Sequence, residues 1–481
     1  MQPETSNTDS DRRSTFIESL SAFGRQHRAQ HWEGTFGDFL HNILPTSPVA
    51  FTRASHQYIW DMLRWYGRER TGDDDTARAQ ELFRPELFGI DEPLARVVDY
   101  FKAAAAGSDV GRRLLLLLGP PSGGKSTLAI LLKRALEEYS RTDDGALYAI
   151  KGSPMHESPL NLVPASLRGP FRETYGVDIN GELSPWARDR LEREYQGDYL
   201  RVPVERVFLS EAMRVGVGTY APHDPTTADI ADLVGSVDLS KVAEVGDEGD
   251  PRVWSWSGAV YAASRGMLEM IEILKVKREF LYLLLTLTQE KNVKVSRFPL
   301  IHLDETILAH TNLAEFNKFL QEKENEALLD RMVIIKVPYA LSYKDESRIY
   351  QKLVSGAPAF RNVHLDPHVL NLVFFGTDDD LRHRLDHLRR MLARGGFGGQ
   401  HHGVGSVHHR IRHVRDLGPG RYGIGDHRFH PRIALNGVLD CEQQFHTRQT
   451  MSITAGDGVR EGIDDETRAD TGQSLITTFR M

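Results

Sequence analysis

Five consecutive leucines, Leu114 to Leu118, stand between two arginines and a glycine-rich turn. A short unbroken apolar run of this kind predicts a strand covered on both faces, as in a parallel sheet. Before it, apolar residues at 94, 97, 98 and 101 repeat at helical spacing, with Pro93 acceptable in the first turn. After it, apolar residues at 128, 131, 132 and 136 predict a helix over Leu128 to Tyr139, and Ala146 to Ile150 reads as a second strand. Strand, glycine turn, helix and strand make a βαβ unit. Further along, the dense apolar pattern of residues 267 to 289 predicts a strand and a helix in the core. Thr306 to His310 and Val333 to Val337 read as strands, which brings the sheet to about five. Tyr343 to Leu353 reads as an amphipathic helix.

Two stretches lack this regularity. Residues 1 to 80 mix polar positions with scattered aromatics, among them Trp32, Trp60, Trp65 and Tyr66, and predict an accessory helical region. Residues 151 to 256 are rich in proline, glycine and charge, with helical patches such as Trp186 to Tyr195, and predict an irregular insertion.

The turn after the leucines reads Gly119, Pro120, Pro121, Ser122, Gly123, Gly124, Lys125, Ser126, then Thr127. This is the spacing of a phosphate-binding loop. Glycines let backbone amides turn inward and approach the α- and β-phosphates of ATP, where a Cβ would obstruct them. Lys125 is placed to reach the β- and γ-phosphates, Ser126 to ligate Mg2+, and the following helix points its positive end at the anion. Turnover of ATP needs a carboxylate as well. One candidate is Asp304-Glu305, which follows Leu300, Ile301 and Leu303; another is Glu269 with Glu272, where an apolar segment also ends on acid. The plain alternatives are a turn for the first pair and one helix face for the second.

Composition narrows the class. The 481 residues carry a net charge of -8, which argues against a nucleic-acid binder. A single cysteine, Cys441, excludes an internal disulfide framework and a four-cysteine zinc site, and suits a reducing, cytoplasmic setting. Met1 to Thr15 has neither the basic start nor the apolar core of a secretory signal. The longest apolar runs fall far below the ~18 residues needed to cross a bilayer, so no membrane role is expected.

From about residue 87 to 355 the sequence resembles the bacterial and archaeal PrkA family of serine protein kinases, built on an AAA+ module. The residues that carry the likeness are Gly119 to Thr127, the segments 151 to 160 and 257 to 272, Leu284 to Glu290, Ile307 to Asn312 and Asn325 to Arg331. The resemblance implies an α/β P-loop fold and Mg-ATP as ligand. It further implies phosphoryl transfer from ATP to serine or threonine of an unnamed protein; a remodelling or proteolysis-linked ATPase is one alternative, and a truncated or frame-shifted product that only binds nucleotide is another. It places Glu272 as catalytic glutamate, with Ile271 where an aspartate normally stands, and Asn312 at the end of a sensor strand. Arg331 falls at the position of an arginine finger that serves a neighbouring subunit, which implies a ring-shaped homo-oligomer. Phe88 to Asp91 corresponds to a loop lining the adenine pocket.

The resulting division is an accessory region over 1–80, an ATP-binding domain over 81–340, a partial helical lid over 341–375 and a divergent tail over 376–481. The likeness fades near Phe374, and the tail is rich in His, Gly and Arg. It reads as disordered, as metal-binding through His401, His402, His408, His409 and His413, or as the product of a frame shift near Phe374. No His-Arg-Asp kinase loop accompanies the P-loop, and no second-sensor arginine is identifiable.

Overall fold

The computed structural model describes residues 6–69, 74–222, 229–294, 299–340 and 342–356. Strands among them are β1 (Glu33–Thr35), β2 (Leu114–Leu118), β3 (Leu147–Ile150), β4 (Pro203–Val207), β5 (Val217–Tyr220), β6 (Met267–Ile271), β7 (Asn292–Val293), β8 (Ile301–His302), β9 (Thr306–Thr311) and β10 (Met332–Lys336). Residues to Tyr339 form one compact unit and those from Ala340 another, in which helix Tyr343–Gly356 is described.

Five strands make the central sheet, in the order β10-β2-β9-β6-β5, and every neighbouring pair is parallel. The first strand in sequence, β2, lies inside this sheet. All five of its leucines are buried, because their two faces meet two different cores. Leu115 and Leu117 pack with helices Ser55–Tyr66, Asp91–Ala105 and Lys125–Ser140, while Leu114 and Leu116 pack with helix Arg278–Glu290 on the other side. That double cover is the reason the run shows no alternation.

The sheet has the expected number of strands but not the expected members. Ala146 to Ile150 does form a strand, yet β3 lies in a separate sheet of order β1-β4-β3, antiparallel to β4. Phe36, Phe39, Leu160, Phe171 and Leu191 cover that sheet. The next strand along the chain to join the central sheet is instead β5, some seventy residues later, at the edge beside β6. The βαβ unit is therefore interrupted, and residues 151–256 are not wholly an insertion, since Val217–Tyr220 completes the central sheet. Nor are residues 1–80 set apart: Tyr58, Ile59, Met62 and Leu63 are buried in the same core as Leu117.

Candidate functional site

Because β2 runs straight into the glycine turn, the turn sits at the carboxyl end of the sheet. Gly119 donates to the Thr311 carbonyl at 3.3 Å, and a Cβ on it would lie 2.0 Å from the Val337 carbonyl, so no other residue fits between β9 and β10. The chain reverses through Ser122 (φ 59°) and Gly124 (φ 88°), both left-handed. Helix Lys125–Ser140 begins immediately and has no side-chain cap at Gly124. Its first-turn amides thus lack intrahelical acceptors and face the turn, an arrangement suited to phosphate oxygens. Leu87 and Ile90 lie 3.1 and 3.5 Å from the position a Cβ on Gly124 would take, which puts the segment before Asp91 against the turn.

Lys125 is buried, and its Nζ donates to the carbonyls of Gly119 at 2.8 Å and Pro120 at 2.5 Å. Burial lowers its pKa, and the charge of Glu272 opposes that shift. Ser126 is exposed beside it. The Thr311 hydroxyl at the edge of the turn is buried and has no hydrogen-bond partner among the described residues. A lysine bonded to its own loop, an uncapped helix start and an orphaned hydroxyl all fit a bound polyphosphate, with Ser126 available to a Mg2+ ion.

The sequence candidates divide between the two ends of the sheet. Glu272 follows β6 in a left-handed conformation (φ 50°) and is ion-paired to Lys275. Asn312 follows β9, the immediate neighbour of β6, and its side chain caps helix Leu313–Gln321 by accepting from the Glu315 amide at 2.9 Å. Both stand at the carboxyl end, as Lys125 does. Asp304 and Glu305 precede β9 and so stand at the amino end. Asp304 accepts from the Ser55 amide at 2.7 Å and hydroxyl at 3.0 Å and pairs with Lys291 at 3.2 Å. Burial would raise its pKa; the Lys291 charge and the hydrogen bond from the Ser55 amide outweigh that and hold it below the ordinary value. Glu305 is buried, both its oxygens are unpartnered among the described residues, and burial pushes its pKa well up, which favours the neutral form.

Arg331 also lies at the amino end. It precedes β10, its carbonyl accepts from the Leu114 amide, and its guanidinium donates to Gln289 at 3.2 Å and to the Ala327 carbonyl at 2.8 Å. Five residues of strand, roughly 17 Å, separate it from its own phosphate turn.

Glu269 is neither on a helix face nor beside the turn. It lies buried in β6 between Lys133, at 2.7 Å, and His310, at 3.1 Å. Lys133 and His310 escaped sequence reasoning. The available signal was a lysine inside the apolar stripe of Leu128, Leu132 and Leu136, and a histidine inside an otherwise buried strand.

Among the described residues no group of histidines, cysteines and carboxylates is placed to hold a metal, and no helix is long and apolar enough to cross a membrane. The tail histidines, and the lid and tail beyond residue 356, lie outside the described residues.

A parallel sheet with its phosphate turn on an inner strand, backed by a candidate glutamate and asparagine on adjacent strand ends, defines a P-loop ATPase of the AAA class. Residues 67–382 match the PrkA AAA domain. An ATP-dependent protease PrkA of Bacillus subtilis is 39% identical over 454 residues, covering 93% of this chain and 70% of the relative. A serine/threonine kinase, YeaG, of Escherichia coli is 34% identical over 283 residues, 56% of this chain and 42% of that protein. The chain belongs to the PrkA family. The Bacillus match, at 93% of the chain, extends beyond residue 382 wherever it begins, and so past Phe374. Among solved structures, the complex of magnesium chelatase subunits BchI and BchD is 16% identical with a TM-score of 0.35, over 75% of this chain and 98% of that one, too loose to argue from.

Proposed function

We propose that the chain binds Mg-ATP at Gly119 to Thr127 and transfers its γ-phosphoryl group to a serine or threonine of a protein. The observation that carries the phosphoryl half is the convergence of Lys125, Glu272 and Asn312 at one end of the sheet, with Glu272 close enough for its charge to act on Lys125. Lys125 would leave the Gly119 and Pro120 carbonyls for phosphate oxygens, and Ser126 would hold Mg2+, which when bound neutralises charge on the phosphates. Glu272, released from Lys275, would accept the proton of the attacking hydroxyl. Arg331 lies too far from its own turn to touch the γ-phosphate, so it would act on a neighbouring copy in a ring. The acceptor is the less constrained half, and the relative named as a serine/threonine kinase favours a protein hydroxyl.

A second reading has water as acceptor and a motor that acts on proteins; the relative named as an ATP-dependent protease favours it. Incubation of the purified protein with Mg2+ and γ-labelled ATP, beside Lys125→Ala, separates the two. Label on serine that the control lacks supports the kinase. Free phosphate alone supports the motor and removes the kinase. Bound nucleotide with neither product removes both.

A further inference from the structure

On the side of the central sheet covered by helix Lys125–Ser140, the strands present Leu115, Leu117, Val217, Met267 and Leu308. Amid this apolar surface three neighbouring strands bring polar side chains together: Thr219 on β5, Glu269 on β6 and His310 on β9. Glu269 is in register with Thr219 on one side and Leu308 on the other, and His310 with Ile271. Lys133 descends onto them from the helix. Its Nζ lies 2.7 Å from Glu269, 2.5 Å from Glu211 and 3.2 Å from Thr219. The second Glu269 oxygen lies 3.1 Å from His310 Nε2, which is the donor because a carboxylate only accepts. Burial would raise the Glu269 carboxyl, yet the His310 hydrogen bond and the Lys133 charge outweigh it and keep it ionised.

An ion pair buried in an apolar layer adds little stability over well-packed apolar side chains, so packing alone does not account for it. Its location does more. Lys133 is eight residues along the helix that Lys125 and Ser126 begin, Glu269 is three residues before Glu272, and His310 is two before Asn312. One carboxylate therefore joins the three elements that carry the candidate catalytic groups. We propose that Glu269 is a positioning residue: held between Lys133 and His310, it sets the phosphate-loop helix, the Glu272 strand and the Asn312 strand in the relative placement that phosphoryl transfer requires. This rests on the proposed ATP chemistry. Nucleotide binding depends mainly on the loop itself and is largely indifferent to that placement, whereas displacement of a reacting group by ~1 Å costs up to about a hundredfold in rate.

The test uses the full chain carrying Glu269→Gln, His310→Leu or His310→Gln, with the Kd for a fluorescent ATP analogue and the kcat of ATP turnover measured for each. Glu269→Gln and His310→Leu lower kcat about tenfold or more while Kd stays within about threefold. His310→Gln, whose amide can donate from near the Nε2 position, keeps most of the wild-type kcat. Loss of binding and turnover in parallel, or equal damage from the two His310 variants, would show a merely structural role and overturn the proposal. Should Glu269→Gln fail to fold, the His310 pair decides alone. A wild type that turns over ATP beside unaffected variants removes the positioning role only; a wild type that binds without turnover removes the ATP chemistry beneath it.

Discussion

At the amino end of the central sheet, Asp304 is enclosed by Ser55, Lys291 and the Arg265 amide, and His56 shares its burial with the Tyr100 hydroxyl. At the carboxyl end, Glu272 stands 37% exposed and paired to Lys275, Ser126 is exposed, and the Thr311 hydroxyl has no partner among the described residues. Both ends hold acids beside cations. At the first the polar groups are satisfied by the protein, save the Glu305 carboxyl, whose burial favours its neutral form; at the second they stand open beside the start of the phosphate-loop helix. Buried, partnered groups hold a fold together, whereas orphaned or open ones next to a helix start mark a ligand's place.

The contrast can be broken from either end. The largest effect belongs to Lys125→Ala, which should lower ATP turnover by on the order of a thousandfold and abolish nucleotide binding, with melting little changed; calorimetric titration with ATP checks it. Arg331→Ala should cut turnover comparably yet leave binding intact if, as proposed, it serves a neighbour's site. Mixing it with Lys125→Ala should restore part of the activity, since some interfaces then hold one intact member of each pair; a mixture as dead as its components would place Arg331 outside the reaction. Asp304→Asn should act oppositely: about 3 kcal/mol less stable in denaturant unfolding, through the Lys291 charge left without its partner, with turnover per folded molecule near wild type.

The last effect, that of pH, bears on stability alone and needs no substitution. Burial above all holds His56 down to about 3 and His156 to about 4. Unfolded imidazoles take up protons below ~6.5 while these two do not, so stability falls as pH drops from about 6.5 towards 4, by about 1.4 kcal/mol per unit for each. Asp304, whose folded pKa is depressed, keeps its contribution until the pH falls below ~4 and does not blur that window. His56→Phe should flatten the slope measured by thermal melts; an unchanged slope would mean that His56 takes up protons in the fold.

Where the sequence sufficed and where it did not has a physical reason. The leucine run and the glycine turn are local: five apolar residues between turn signals permit little but a buried strand, and the turn's steric demands are written in its glycines. Which strand lies beside which is a long-range matter. Ala146 to Ile150 and Val217 to Tyr220 are comparably apolar, and only the coverage by Phe36, Phe39 and Phe171 draws the former into a second sheet. The apolar-then-acidic pattern before Asp304-Glu305 imitates a catalytic strand end, but strand direction puts it at the wrong end, and no local pattern carries that direction. The Lys133, Glu269 and His310 contact joins residues up to 177 apart in sequence. It leaves only faint local traces, a lone lysine in an apolar stripe and a histidine in a buried strand.

The most direct comparison of the two ends is ATP turnover by Glu272→Gln beside Glu305→Gln, each normalised to folded protein. Turnover should fall about a hundredfold in the first, with nucleotide still bound, and stay within about twofold in the second, whose burial favours the neutral carboxyl that an amide matches closely. Full turnover by Glu272→Gln and its loss in Glu305→Gln would contradict the placement of the chemistry at the carboxyl end of the sheet.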